Sequence, residues 1–358
     1  MADFPSLARA GHAAHCLRCL SALPSSQTEV DASRLALAFY CIGSLDLLGV
    51  LQEKTTPTDR ESWREWVWEQ QTSGQHGSGF KPSPFMTAPP QAPGEAYTNY
   101  DTPHIIMTYT ALLSLAILRD DFSRLDRPGL LRFIRSCQRE NGSFSTVPGS
   151  NETDLRTLYC AFAISCMLDD WSAIDKDRAI AFIASCRSYE GGYGQAPFCE
   201  AQGGTTYIAI ASLHLVPRTS SPLTPAERQL TMRWLVHNQA DSGGFCGRTG
   251  KDADACYCFW AGAALQILGA KDLVQSRSLT MFLAKCQFKY GGIAKAPGEH
   301  PDPYHTYLSL AALSMYSPNL EPNHPSAASW RFDPLDPLLN AREETSQWAR
   351  KHVPGHKV

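Results

Sequence analysis

The sequence lacks any apolar run approaching the ~18 residues that a membrane-spanning helix needs, so no integral membrane segment is expected. It also lacks a surplus of either charge. Its 32 Lys and Arg stand against 35 Asp and Glu, a formal net charge of −3, and no bulk basic footprint for nucleic acid exists. Charged residues are only 19% and hydrophobic residues 43%, too apolar for a disordered chain and enough for a large core. The stretch from Met1 to Cys19 lacks the basic-then-apolar layout of an export signal. The end, Gly355-His356-Lys357-Val358, lacks a cysteine for lipidation. Without an export signal, the twelve cysteines read as reduced thiols, mostly buried, and a cytoplasmic location is expected.

What is present is a repeat. Cys137-Gln-Arg-Glu-Asn-Gly-Ser-Phe144, Cys186-Arg-Ser-Tyr-Glu-Gly-Gly-Tyr193, Asn238-Gln-Ala-Asp-Ser-Gly-Gly-Phe245 and Cys286-Gln-Phe-Lys-Tyr-Gly-Gly-Ile293 share one pattern. Their second positions, 138, 187, 239 and 287, are spaced by 49, 52 and 48 residues. A looser copy, Gln70-Gln71 through Gly79-Phe80, lies upstream. A fixed period near fifty marks a repeat architecture. Each unit has a first helix with one polar side, a glycine pair expected to end it in the left-handed C-cap conformation, a loop, and a second helix. The second helices, Thr102–Leu118, Asp154–Leu168, Thr205–Leu215, Asp254–Leu268 and His305–Met315, are apolar nearly all round and should be buried on both faces. Alternating outer and inner helices with a constant turn predict an all-α fold, an α/α toroid. Proline-rich stretches at Pro82–Pro93, Pro217–Pro225 and Pro318–Pro337 are too short for interdomain linkers, so residues 1–358 read as one domain.

In such a barrel the starts of the inner helices converge on one rim. Asp101 and His104, Asp154 and Arg156, Gln202, Asp254 and Cys256, and His305 all fall there, at helix N-termini that favour anions. Asp254, Cys256 and His305 are O, S and N donors of the kinds zinc takes, leaving a fourth position open. Singly, each has an ordinary explanation: a helix cap, a core thiol, a satisfied histidine. Together, one repeat apart, they point to a metal. Arg248, Lys251 and Tyr257 beside them suit a diphosphate leaving group, although a solvated basic loop would look the same. Trp260, Phe259, Tyr207, Tyr109 and Phe39 lie on inner helices and would line a cavity if the toroid is wide enough. His12-Ala-Ala-His15-Cys16-Leu-Arg-Cys19 looks like a small zinc site but has no second cysteine pair, and its periodicity suits an amphipathic helix. Asp252-Ala-Asp254 keeps a terpene-cyclase-like enzyme open, which would not need Cys256 and His305. A catalytically idle toroid that serves as a binding module is the other alternative.

Asp254-Ala-Cys256-Tyr257-Cys-Phe-Trp260, the Arg248/Lys251 pair, Asp302-Pro-Tyr-His305 and the glycine repeats together resemble the protein prenyltransferase β subunits, over about residues 12 to 350. The resemblance implies an α/α barrel paired with a prenyltransferase α subunit. It implies a catalytic zinc on Asp254, Cys256 and His305, and transfer of an isoprenoid from its diphosphate to a C-terminal cysteine. By position, Arg248, Lys251 and Tyr257 match diphosphate-binding groups, and Arg156 and His104 match residues lining the lipid and peptide sites. Gln202-Gly203-Gly204 departs from the family's His-Gly-Gly: glutamine donates a hydrogen bond but cannot become a cation.

Three classes share this pattern, and here the type I geranylgeranyl class is expected. Ala36 falls where farnesyl enzymes carry a tryptophan that shortens the lipid pocket, so geranylgeranyl diphosphate would fit. Lys295 falls where farnesyl and Rab-type enzymes carry aspartate, a hard oxygen ligand for magnesium; with lysine there, Mg²⁺ should not be required. Ile105 to Thr110 and the tail from Pro337 to Trp348 also look like type I. The protein substrates implied are CaaX-tail proteins such as Rho-family GTPases, with tails ending in Leu. Tyr304 points instead to the farnesyl class, and Thr157 matches neither pattern, so a farnesyltransferase β subunit stays the alternative.

Overall fold

The computed structural model describes residues 4–84, 101–217, 222–318, 320–321 and 323–355. Parts of the three proline-rich interruptions (85–93, 218–221, 319 and 322) and both chain ends lie outside the described residues. Helices dominate. The inner helices are α2 (Arg34–Leu47), α5 (Ile105–Ile117), α7 (Leu155–Leu168), α9 (Gly203–Leu215), α11 (Ala255–Ile267) and α13 (Pro303–Met315). Each packs against the next, and α13 closes the ring on α2. The outer helices are α1 (Arg9–Ser21), α4 (Pro57–Trp68), α6 (Arg127–Cys137), α8 (Lys176–Ser185), α10 (Pro225–His237) and α12 (Ser276–Lys285). A short α3 (Leu51–Lys54) precedes α4, and α14 (Glu343–His352) ends the described chain. This is the expected α/α toroid.

The inner helices are buried because their sequences leave them no polar face. Of the thirteen residues of α5, twelve are buried. Outer helices start at capping boxes such as Thr56 with Asp59 and Thr224 with Glu227, each with proline in the first turn. Between helices, among the described residues, lie four two-stranded hairpins: β1 (Gln71–Gly74) with β2 (Gly77–Phe80), β3 (Phe144–Ser145) with β4 (Thr153–Asp154), β5 (Phe245–Cys246) with β6 (Ala253–Asp254), and β7 (Leu335–Asp336) with β8 (Ala341–Arg342).

The glycines act differently from the sequence expectation. Helices α8 and α12 end at Ser185 and Lys285 with right-handed caps at Cys186 and Cys286, several residues before the glycine pairs. The first glycine of each pair instead sits in a turn closed by a bridge such as Arg187 to Tyr193 or Gln287 to Ile293. Gly142, Gly191, Gly243 and Gly291 all have φ between +89° and +105°. A Cβ there would strike the next outer helix: at Gly243 it would lie 2.1 Å from the Ser278 carbonyl oxygen, and at Gly291 1.8 Å from that of Gly11. The last contact joins the final repeat to α1 and closes the outer ring. Each turn is therefore a docking point between consecutive units.

A second recurrence fixes the inner helices. An N–H in the first turn of α2, α5, α7, α9 and α11 donates to the carbonyl two residues beyond the next unit's motif, at Pro82, Thr146, Gln195, Gly247 and Lys295, over 2.8–3.2 Å. Five of the six inner helix starts are thus held by the following loop, and these starts share one rim. At the opposite end, α14 ties onto the C-termini of α2 and α5 through Thr345 on Asp46 (2.7 Å), Trp348 on the Asp120 carbonyl (2.8 Å) and the Arg119–Glu344 ion pair (3.0 Å). The segment before it runs into the barrel. Tyr109, Tyr159, Tyr207 and Tyr307 donate their hydroxyls to the carbonyls of Leu339, Leu338, Pro337 and Asn340. The tail plugs the floor.

Alanine at Gly243 should therefore destabilise far more than alanine at Gly298, where φ is also positive (+87°) but nothing lies within 4 Å. Thermal or urea unfolding should show a loss of about 1–2 kcal/mol at Gly298 and more than about 3 kcal/mol at Gly243, where overpacking adds to strain. Equal losses at both positions would mean the turn is not a docking point.

Candidate functional site

The inner helix starts place the site. Asp254 caps α11 by accepting the Cys256 N–H (2.9 Å), and Asp302 caps α13 by accepting the His305 N–H (2.8 Å). Capping ties both carboxylates to the residues that follow them. Helices α11 and α13 are neighbours, so Asp254, Cys256 and His305 meet with their donor atoms all within 4.8 Å of one another. The His305 Nε2 lies 3.4 Å from an Asp254 oxygen, while its Nδ1 is held by Asp302 at 2.6 Å. This second contact fixes which ring nitrogen faces the cluster, as carboxylates behind metal-binding histidines do. Burial alone would lower the His305 pKa, but Asp254, Asp302 and Cys256 outweigh it and push the imidazole up to about 11. Burial pushes the Cys256 thiol up to about 11 as well, against the pull of His305. The group draws positive charge to itself. A carboxylate, a thiol and an oriented imidazole in this spacing fit a divalent metal of zinc's preferences, and among the described residues no other such triad occurs.

Two basic residues precede the triad in the chain. Arg248 and Lys251 stand on the loop between β5 and β6; Arg248 pairs with Glu200, and Lys251 is exposed. The Tyr257 ring lies over Gly203 and Gly247, where a Cβ would come within 3.1 and 2.4 Å of it. The glycine after Gln202 is thus a packing requirement of Tyr257. Gln202 itself caps α9 without a side-chain hydrogen bond. Arg156 is folded back onto Asp154 through two contacts (3.0 and 2.6 Å) and onto Glu152 (3.7 Å). His104 caps α5, its Nδ1 accepting the Ile106 N–H (3.2 Å), and burial holds its pKa down at about 4.

Lys295 belongs to the triad's surroundings through its main chain. Its carbonyl accepts the Ala255 N–H at 2.8 Å, next to Asp254, and its side chain is exposed with no ion pair among the described residues. The equivalent residue two barrel positions away, Gln195, reaches the cap Asp154 with its side chain (2.7 Å). Lys295 shares its backbone position, with its carbonyl on the residue after the cap.

Ala36, Tyr40, Trp260 and Tyr304 are left partly open on otherwise buried inner helices. The Tyr40 and Tyr304 rings meet at 5.5 Å, and the Trp260 indole N–H donates to the Tyr304 hydroxyl (3.1 Å). Of the aromatic residues expected to line a cavity, only Trp260 is left partly open. Phe259, Tyr207, Tyr109 and Phe39 are buried; Phe259 and Tyr207 pack behind Trp260, and the Tyr207 and Tyr109 hydroxyls are taken by the tail. Thr157 is also structural, buried with its hydroxyl on the carbonyls of Phe144 and Asp154. Three partners were not foreseen: Asp302 behind His305, Tyr40 in the lumen, and Glu200 on Arg248. Asp302 was legible as a cap three residues before His305. Tyr40 and Glu200 carry no signal in sequence spacing.

Residues 7–341 match the family described as the prenyltransferase alpha-alpha toroid domain. The geranylgeranyl transferase type-1 subunit beta of Dictyostelium discoideum is 41% identical over 315 residues, covering 83% of this chain and 87% of that protein. The chain belongs to the prenyltransferase toroid family, among the type-1 β subunits. The Arabidopsis thaliana protein of the same name is 37% identical, covering 82% of this chain and 80% of its own. The solved Candida albicans protein geranylgeranyltransferase-I, complexed with GGPP, superposes with a TM-score of 0.84 at 26% identity, covering 98% of this chain and all of that one. The fold brings Asp254, Cys256 and His305 together, and the farnesyl alternative gives way to the type-1 class.

Asp302 should act on this toroid's metal affinity through His305. Asp302→Ala is expected to weaken zinc binding by about 10–100-fold in a competitive chelator titration, with the circular dichroism spectrum unchanged. An unaltered affinity would mean that the carboxylate only caps the helix.

Proposed function

We propose that this prenyltransferase β subunit works with an α subunit to transfer a geranylgeranyl group from its diphosphate to the cysteine of C-terminal CaaX tails ending in Leu. The observation that carries the reading is the convergence of Asp254, Cys256 and His305 on the rim of a type-1 toroid. Zinc, held by these three residues, would supply a Lewis acid that keeps a thiol deprotonated at neutral pH, where a free cysteine of pKa ~8.5 is mostly protonated. Asp302 keeps the His305 ring aimed. Arg248 and Lys251 would offset the charge growing on the diphosphate, and the Tyr257 hydroxyl would donate to it, where fixed donors count most. Gln202 would add a neutral hydrogen bond at its helix start. Arg156 would have to leave Asp154 to join them, and His104 stands with it along the lipid and peptide path. Ala36, Tyr40, Trp260 and Tyr304 would wall the isoprenoid from water.

The Rho-family GTPases are substrates of the expected kind. We read residues 1–358 as a single domain. No described helix is long and apolar enough to cross a membrane, and all twelve cysteines are free thiols, which supports a cytoplasmic place of work. The deciding experiment co-expresses the chain with a candidate α subunit and offers the C15 and C20 diphosphates to peptides ending in Leu or in Ser and Met. Preferential C20 transfer to the Leu peptide is expected; C15 transfer to Ser and Met peptides would return the farnesyl reading.

Ala36→Trp should move selectivity from C20 towards C15, because an indole at the lumen wall takes volume that the last isoprene unit needs. Overpacking of ~1–3 kcal/mol corresponds to roughly tenfold to 150-fold in the ratio of the two kcat/KM values. An unchanged ratio would place Ala36 outside the lipid path.

Lys295 should make the wild type indifferent to magnesium, since an ammonium turned towards the site from this loop would supply positive charge directly and repel a second cation. Under saturating zinc, a magnesium titration should be flat for wild type. Lys295→Asp should be slow without the ion and recover as it is added. A wild-type rate that climbs steeply with magnesium would refute this role.

A further inference from the structure

The motif from His12 to Cys19 takes no part in the rim, yet the fold completes it. Helix α1 carries His15, Cys16 and Cys19 on its buried side, and Cys41 of α2 lies against them with its thiol in hydrogen-bonding contact with both Cys16 and Cys19. The Cys19 sulfur is also 3.8 Å from the His15 Nε2. Contacts thus run in line, His15 to Cys19 to Cys41 to Cys16. They do not close around a point, and among the described residues only the rim triad gathers three metal donors within 4.8 Å. The arrangement suits thiol chemistry better than a metal.

The four groups are not equivalent. Cys16 and Cys41 are closed off, at 0% and 1% exposure, whereas Cys19 is 8% exposed. Cys19 and Cys41 border a cleft of about 630 Å³ between α1, α2 and α4, walled by Arg34, Trp63 and Trp66. A small oxidant therefore reaches Cys19 first, with Cys41 directly behind it. The Cys41 thiol donates to the Cys19 sulfur and, with His15 and Arg18, holds Cys19 below the ordinary thiol range against the push of burial, while Cys41 is held well above it. A nucleophilic sulfur backed by a protonated thiol is the layout of a dithiol oxidised in two steps.

We propose that Cys19 and Cys41 form a peroxide-sensitive dithiol, a modification site independent of the prenyl-transfer site. The Cys19 thiolate attacks one oxygen of hydrogen peroxide, breaking the O–O bond and leaving a sulfenic acid and hydroxide. Cys41 then attacks the Cys19 sulfur, forming the S–S bond; the departing hydroxide takes the Cys41 proton and leaves as water. Two thiols are oxidised to one disulfide, and one peroxide is reduced to two waters. The bond ties outer helix α1 to α2, the helix that presents Ala36 and Tyr40 to the lumen.

The test treats the full-length chain, purified as it is expressed, with limiting hydrogen peroxide, blocks free thiols and digests with trypsin. Cleavage after Arg18 and Arg34 puts Cys16, Cys19 and Cys41 on three different peptides, so mass spectrometry reads the linkage directly. The expected product is a Cys19–Cys41 peptide pair, lighter by about 2 Da than the two thiols and reversed by reductant. It should form at least about tenfold faster than the exposed Cys199 is oxidised. Cys41→Ser should leave a sulfenic acid at Cys19 that dimedone traps, and Cys16→Ser should still give the Cys19–Cys41 link. Oxidation of Cys199 ahead of an unlinked Cys19 would overturn the proposal. So would a Cys16–Cys41 link in its place, or a failure of dimedone to label Cys19 in Cys41→Ser.

Discussion

One steric constraint organises this molecule: a glycine of positive φ in each unit lies against the backbone of the next outer helix. At Gly142, Gly243 and Gly291 the space for a side chain is already filled by a carbonyl oxygen of the following unit. Successive units can then pack in only one relative orientation. Repeated around the ring, that orientation brings α13 onto α2 and Gly291 onto Gly11. It also sets five inner helix starts against the loop of the next unit, each through one backbone hydrogen bond. The chemistry depends on this. Asp254 and His305 lie 51 residues apart in the chain and 3.4 Å apart in space because two adjacent helices begin at the same height.

The two ends of the barrel are built for different purposes. The upper end carries the triad of Asp254, Cys256 and His305. The lower end is filled by the protein's own tail, whose carbonyls from Pro337 to Asn340 are satisfied by four tyrosines. A buried carbonyl without a partner would cost about 1–3 kcal/mol, so the tyrosines let backbone enter an apolar barrel. Between the ends, small Ala36 and the aromatic Tyr40, Trp260 and Tyr304 are left partly open on the inner helices. A long hydrocarbon would meet these side chains, and a diphosphate head would meet the basic residues near the helix starts.

The architecture could be read from the sequence because a repeat announces itself: the period near fifty, the nearly all-apolar helices and the glycine pairs gave the toroid, and the spacing of Cys256 and His305 gave the triad. Where the reading failed, the missing information was three-dimensional. The glycines look like helix caps in the sequence because their role needs a neighbouring helix to be visible. Phe259, Tyr207 and Tyr109 look the same in sequence as Trp260, and only side-chain direction separates core from lumen. Glu200 on Arg248 and Tyr40 on Tyr304 are pairings across units with no fixed spacing. Cys41 was invisible as a partner of Cys19 for the same reason, since α2 crosses α1 at a register the sequence does not mark.

Metal analysis tests most directly whether the rim triad holds a zinc ion that the chemistry requires. Inductively coupled plasma mass spectrometry on the purified protein should find about one zinc per chain. The Cys256→Ala protein should retain little, with its helical content and melting behaviour close to wild type and its transfer activity lost. A Cys256→Ala protein that keeps stoichiometric zinc, or a metal-free preparation with full transfer activity, would contradict it.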